Sequence, residues 1–296
     1  MRPRGEAALE ITRLDLPKCQ VGEGPVWDEG EQALYYIDIL AKKVFRWHPA
    51  SGEHKSWDVP DIIGSMALRE GGGAVVALGN GVHTLDFESG AVEPLALLDP
   101  PDPELQLADG KADRAGRFVF GTSHRTMKEP RGGLWSLGAD HRLTQFDGDV
   151  FLGNGPCWSP NSRTFYHADS LRHLIYAYDY DIETGRASNR RAFFDSSAYG
   201  PIPDGATVDA EGNLWTAICE GGVVLCLSPA GEVLREIAFP TRIPASVMFF
   251  GPELDRLFVP TIDPTFLGRE AAPDDGCCFV IDGLGVQGLP EPRYAG

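Results

Sequence analysis

The stretch PIPDGATVDAEGNLWTA, residues 201–217, holds an Asp-Gly pair, an apolar run, a Glu-Gly-Asn turn and a second apolar run. Asp-Gly is ordinary turn chemistry, and one such stretch says only strand, turn, strand. The layout recurs, however. EGPVWDEGEQALYYID begins at Glu23, IGSMALREGGGAVVALG at Ile63, DGKADRAGRFVFGTS at Asp109 and NGPCWSPNSRTFYHAD at Asn154. DGATVDAEGNLWTAIC begins at Asp204, and PASVMFFGPELDRLFVPT at Pro244 with Ala in place of Gly. The starts lie 40, 46, 45, 50 and 40 residues apart. Each unit reads as a short strand, a polar turn and a second strand rich in aromatic and β-branched residues. A third strand follows: KVFRWHP, GVHTLDF, GGLWSL, LIYAYDYD, VVLCLSP and CCFVIDG. A fourth, more polar strand such as EVLREIAFP fits most units.

Four strands per 40–50 residues, repeated, is the signature of propeller blades. Six units predict an all-β, six-bladed propeller of four-stranded blades, a single domain over residues 1–296. The sixth unit ends before a fourth strand is evident. The N-terminal strand LEITRLDLP has no partner of its own, so it is expected to close the ring by joining blade six. An irregular β-sandwich array is the weaker alternative, because six regular copies are hard to reconcile with it.

The bulk numbers agree. A chain of 296 residues with 43% hydrophobic content can build a large core, and 35 Gly with 23 Pro suit many turns. A net charge of −17 disfavours a nucleic-acid binder, which needs a basic surface. Cys19, Cys157, Cys219, Cys226, Cys277 and Cys278 form no C-x-x-C pair and read as reduced core thiols. The N-terminal MRPRGEAALEITRLDL lacks an apolar leader core, and no run reaches the ~18 apolar residues of a membrane span. The expectation is a cytoplasmic protein, monomer or small homo-oligomer, without nucleic-acid or membrane partners.

The first residue of each unit should sit at one equivalent place around the propeller axis. These residues are Glu23, Ile63, Asp109, Asn154, Asp204 and Pro244, and four of the six are oxygen donors. Carboxylates gathered in one channel repel each other, and a divalent cation resolves the conflict because hard cations take carboxylate and amide oxygens. Taken singly, each donor reads as a plain turn residue. Taken together, they point to a channel metal.

Several stretches also resemble a known family, that of senescence marker protein 30, gluconolactonase and luciferin-regenerating enzyme. They are GEGPVWD (22–28), DGKADRAGRFVFGT (109–122), NGPCWSP (154–160), YHADS (166–170), YDYDIETG (178–185) and PDGATVDAEGNLWTA (203–217). The resemblance implies a six-bladed propeller with one catalytic divalent metal in its channel. By motif match, Glu23, Asn154 and Asp204 resemble the family's metal ligands, and Asp204 its general base; Asp109 is a ligand, a partner behind the ligands, or a turn residue. The expected activity is hydrolysis of a lactone by metal-activated water. Ca²⁺, Mg²⁺ or Mn²⁺ suits an oxygen-only set, though Zn²⁺ or Fe²⁺ could also sit there.

The sequence also departs from the family. Sugar lactonases of this kind carry R-x-N just before D-G-K, where this chain has Gln106-Leu107-Ala108. A Glu usual shortly after the G-T pair is also missing from GTSHRTMKE, residues 121–129. Gln106, Ala108, His124 and Arg125 are therefore the expected substrate contacts, with preferences unlike a gluconolactonase's. No G-x-S-x-G elbow or H-E-x-x-H is present, and GNGVHT (79–84) lacks a third dinucleotide-binding glycine. Two rivals stand beside the lactonase: a phosphotriester hydrolase on the same metal propeller, and a non-catalytic propeller that merely holds Ca²⁺.

Overall fold

The second strand of each repeat is aromatic and β-branched throughout: Ala33–Asp38 (ALYYID), Phe118–His124 (FVFGTSH), Thr164–Asp169 (TFYHAD). Such side chains fit a pleated surface buried on both faces. Outer strands are different. His54–Asp58 and Val233–Ala238 are largely exposed, as a strand with one solvated face must be. In the computed structural model, which describes residues 8–79, 81–99 and 101–296, these strands form six four-stranded antiparallel sheets. The molecule is a six-bladed β-propeller. Readings that touch residues 1–7 (the leader question) and Asn80 (in the 79–84 stretch) lie partly outside the described residues.

The innermost strands of blades one to six are Gly22–Asp28, Ile63–Leu68, Leu105–Ala112, Gly153–Trp158, Ile202–Val208 and Met248–Phe250. The ring closes as the sequence suggests. Glu10–Arg13 pairs antiparallel with Cys278–Asp282 in the register Glu10↔Asp282, supplying the outer strand of blade six. The core lies between neighbouring blades. Where blades five, six and one meet, Trp27 packs edge-on to Phe250 and Trp215 edge-on to Phe249, each with centroids 5.8 Å apart. All six cysteines are buried free thiols. No helix among the described residues is long and apolar enough to cross a membrane.

One expectation is corrected. The Glu-Gly, Asp-Gly and Asn-Gly pairs are not hairpin turns. They lie inside the innermost strands, where pairing with the second strand slips: between Glu23 and Val26, Leu107 and Gly110, Asn154 and Cys157, and Pro203 and Ala206. A β-bulge of this kind bends the strand and re-aims a side chain. Glycine is required because the innermost strands crowd one another at the axis. A Cβ on Gly205 would stand 1.9 Å from Ser246 Oγ of blade six, and one on Gly155 would stand 2.7 Å from the Asp204 carbonyl. The Glu211-Gly212-Asn213 segment, by contrast, is a turn. Asp209 fastens it, accepting from the backbone N–H of Glu211 (3.0 Å) and Asn213 (2.8 Å) and from Trp215 Nε1 (2.9 Å).

The two ends of the channel differ. Strand starts surround one mouth. At the other, the C-terminal segment crosses the strand ends, with a parallel bridge Arg69↔Tyr294 and hydrogen bonds from Tyr294 N–H to Leu68 O (2.8 Å) and Ala295 N–H to Gly116 O (3.0 Å).

Candidate metal centre

The bulges bring the donors together. Glu23 of blade one, Asp109 of blade three, Asn154 of blade four and Asp204 of blade five all line one cavity of about 340 Å³ at the mouth ringed by strand starts. The three carboxylate residues are buried, 6–7% exposed.

Each donor is held differently. Glu23 accepts from the Gly24 N–H at 2.8 Å. Asn154 donates its Nδ2 to Ser170 Oγ (3.0 Å), and Ser170 donates its own proton to the Pro203 carbonyl (2.6 Å). With its proton committed there, Ser170 can only accept from the amide. The orientation of Asn154 follows, and its Oδ1 is left over as an acceptor. Asp109 is spent on backbone: Oδ1 takes the Gly110 N–H at 2.7 Å and Oδ2 the Gly155 N–H at 2.8 Å. It thereby ties down the residue next to Asn154. Asp204 makes no comparable side-chain bond among the described residues, so its carboxylate is the freest of the three.

The electrostatics follow. Burial pushes Glu23 well above the ordinary carboxylate range, and the negative charges of Asp204 and Asp109 push further. Asp204 is likewise well above it, through burial first and Asp109 second. Asp109 rises through burial, countered by the Lys111 ammonium and the two amides. Lys111 is itself buried behind the centre, donating to the Ala206 carbonyl (2.7 Å) and lying 3.7 Å from Glu291 of the C-terminal segment.

Two carboxylates that repel each other in a dry site, beside an amide with a free oxygen, form a donor set that a hard divalent cation would satisfy. Among the described residues no three Asp, Glu, His or Cys side chains gather as a metal shell. The set offered is two carboxylates and an amide, with Asp109 supporting from behind.

Of the expected substrate contacts, Gln106 and Ala108 are on the cavity wall. Gln106 Nε2 reaches Ser123 Oγ at 3.4 Å. His124 and Arg125 are not on that wall. His124 is buried with its ring against Thr126 Oγ1 (2.9 Å), and Arg125 donates to the Pro103 carbonyl (2.8 Å). Reading the sequence assigned no role to Ser170, which follows the second strand of Asn154's own blade, Ser246, which precedes the innermost strand of blade six, or Lys111, two residues past Asp109 on the same strand. Their use is not local: Ser170 and Lys111 bond to the Pro203 and Ala206 carbonyls of blade five.

Comparison with known proteins agrees with this architecture. The family description "SMP-30/Gluconolactonase/LRE-like region" matches residues 21–263. Regucalcin of Xenopus laevis is 36% identical over 300 residues, covering 98% of this chain and all of its own. Among solved structures, a luciferin-regenerating enzyme superposes with a TM-score of 0.90 at 28% identity, over 98% of this chain and 100% of that one. A regucalcin of Agrobacterium tumefaciens, described as a calcium-binding protein, gives 0.88 at 25% identity over 96% and 97%.

Proposed function

The chain belongs to the SMP-30/gluconolactonase/LRE-like family, and from that premise we propose that it is a divalent-cation-dependent lactonase. The observation that carries the reading is the convergence of Glu23, Asn154 and Asp204, from three blades, on the wall of one cavity. Glu23, Asp204 and the Oδ1 of Asn154 would hold the cation. When bound, a divalent cation supplies carbonyl polarisation and a lowered pKa for water in its reach.

The chain's own residues account for the rest. Asp204, whose carboxylate is the least engaged by hydrogen bonds, takes the proton of the attacking water. The water oxygen bonds to the lactone carbonyl carbon, and the ring C–O bond breaks. The proton held on Asp204 passes to the departing alkoxide, giving the open hydroxy acid. Glu23 is engaged by the Gly24 N–H, and Asn154, an amide turned by Ser170, is no base, which leaves Asp204 as the acceptor.

The test is a pH-indicator assay of a lactone panel, run on protein stripped with chelator and then given Ca²⁺, Mg²⁺, Mn²⁺ or Zn²⁺ in turn. Turnover that is lost on stripping and returns with a cation is the expected result. Equal turnover in chelator would overturn the dependence on a cation. Cation binding without turnover of any lactone or phosphotriester would favour a calcium-holding propeller instead, the description borne by the Agrobacterium relative.

A further inference from the structure

The donor ring has a second ring above it. Val21, Leu107, Leu152 and Ile202 stand two residues before Glu23, Asp109, Asn154 and Asp204, and all four line the same cavity. Each lies at or near the start of its innermost strand and lines the same cavity as its donor, so an aliphatic group stands one step nearer the strand-start mouth than each oxygen donor. Blades two and six complete the collar with Ile62 and Ile243. Every blade thus contributes an aliphatic side chain between the acidic floor and solvent.

The mouth is apolar too. Met127, Phe266 and Leu267 line it at 38%, 47% and 56% exposure. They are half of the six exposed large hydrophobics among the described residues, so these are concentrated where a ligand enters. Phe266 and Leu267 are held out by a short 3-10 turn, Pro264–Leu267, whose preceding Asp263 accepts from the Thr265 N–H at 2.9 Å.

Away from the donors, polar side chains on the wall are few: Gln106, which touches Ser123 Oγ at 3.4 Å, and Arg269, paired with Glu220 at 2.6 Å, stand among mostly aliphatic neighbours. A sugar lactone would bury its hydroxyls against aliphatic carbon, and each unpaired hydroxyl is costly. An aromatic or alkyl group would instead be desolvated favourably on the same wall.

We propose that this site takes lactones whose ring is fused to, or substituted by, an apolar or aromatic group in place of sugar hydroxyls. This rests on the lactonase reading for its chemistry, but the collar alone carries the specificity. Two probes of equal lactone ring size, both expelling an alkoxide, separate the classes: isochroman-3-one, benzo-fused, and glucono-1,5-lactone. In cation-loaded protein, kcat/KM for the first should exceed that for the second by about ten-fold or more. Equal values, or a preference for the glucono-lactone, would overturn the proposal while leaving the lactonase standing.

A binding arm covers the opposite failure. The unreactive lactam 3,4-dihydroquinolin-2-one should bind by calorimetry, and Leu152→Asn or Phe266→Asp should raise its Kd about ten-fold. Phe266 is exposed, so its replacement does not threaten the fold. Leu234→Asp, on the exposed outer strand of blade five, should change nothing. If no lactone is turned over with any cation, the lactonase reading falls and the lactam decides alone: binding weakened by the collar variants sustains the apolar site. Absent binding, or binding indifferent to both variants, removes it.

Discussion

At the scale of single residues, Asp204, the proposed base, is also a group whose burial bears on stability. Its carboxyl is pushed up by burial and by Asp109. A carboxylate whose folded pKa lies above its unfolded value costs stability once pH has risen through both. Stripped of cations, the protein should therefore be less stable at pH 8 than this one group would allow if neutral. Asp204→Asn should raise the unfolding free energy of chelated protein by about 0.5–2 kcal/mol at pH 7–8, with the gain vanishing toward pH 4. The same change should lower lactone turnover by at least ~10²-fold. Urea unfolding in chelator and the indicator assay read the two arms; a less stable, fully active variant would contradict both. His167 carries the opposite sign. It is buried with neither ring nitrogen partnered among the described residues, and burial pushes its pKa down to about 3, with Asp147 opposing and Arg190 reinforcing the shift. A histidine with a depressed folded pKa contributes stability above its unfolded value near 6.5, lost as pH falls toward 3. His167→Leu should flatten the fall in unfolding free energy between pH 7 and pH 4. An unchanged slope would show that other groups drive acid unfolding.

At the scale of the element, the innermost strands show what could be read in advance and what could not. The donor at each repeat start was legible because period and residue type coincide at Glu23, Asn154 and Asp204. The bulge was not. An Asp-Gly pair spells turn by local chemistry, and only the crowding of six strands at one axis turns it into a bulge. The collar was legible in principle, since Val21, Leu107, Leu152 and Ile202 repeat two residues before the donors. His124 and Arg125 were chosen from a loop's position in the chain; His124 alternates with the cavity-lining Ser123 and so faces the other way, and Arg125 lies past the strand's end, bonded to the Pro103 carbonyl. Gly205→Ala drives a Cβ to 2.5 Å of Ser246 Cβ and 2.7 Å of Ser246 Cα, which cannot yield without moving blade six. It should cost about 1–3 kcal/mol and weaken cation affinity by displacing Asp204. Gly71→Ala, where an added Cβ meets nothing within 4 Å, is the matched control and should unfold like the parent.

At the scale of the whole molecule, the ring has two fastenings, and only one announces itself. Glu10–Arg13 completes blade six, which the missing fourth strand of that unit foretold. The C-terminal segment LPEPRYAG, residues 289–296, has no strand periodicity, yet it crosses three blades at the far mouth. Tyr294 is fully buried there, and its hydroxyl donates to the Gly138 carbonyl at 2.8 Å. Arg293 reaches Asp28 Oδ2 of blade one at 2.5 Å and the Arg69 carbonyl of blade two at 3.0 Å. Glu291 meets the buried Lys111, which in turn stands behind Asp109. Charges thus alternate along the axis from Glu291 to Lys111 to Asp109, ending at a site suited to a cation. This line should couple stability to the site, and two variants separate the two effects. Tyr294→Ala removes a large buried ring and should cost about 3–5 kcal/mol, read by urea unfolding of chelated protein. Glu291→Gln keeps the shape of the segment and leaves Lys111 with Asp109 as its remaining counter-charge. Less of the ammonium's charge is then offset behind the proposed cation site, so cation affinity should fall several-fold in titration calorimetry. If Glu291→Gln binds cations as the parent does, the axial charges are independent of one another and the C-terminal segment is a structural clasp alone.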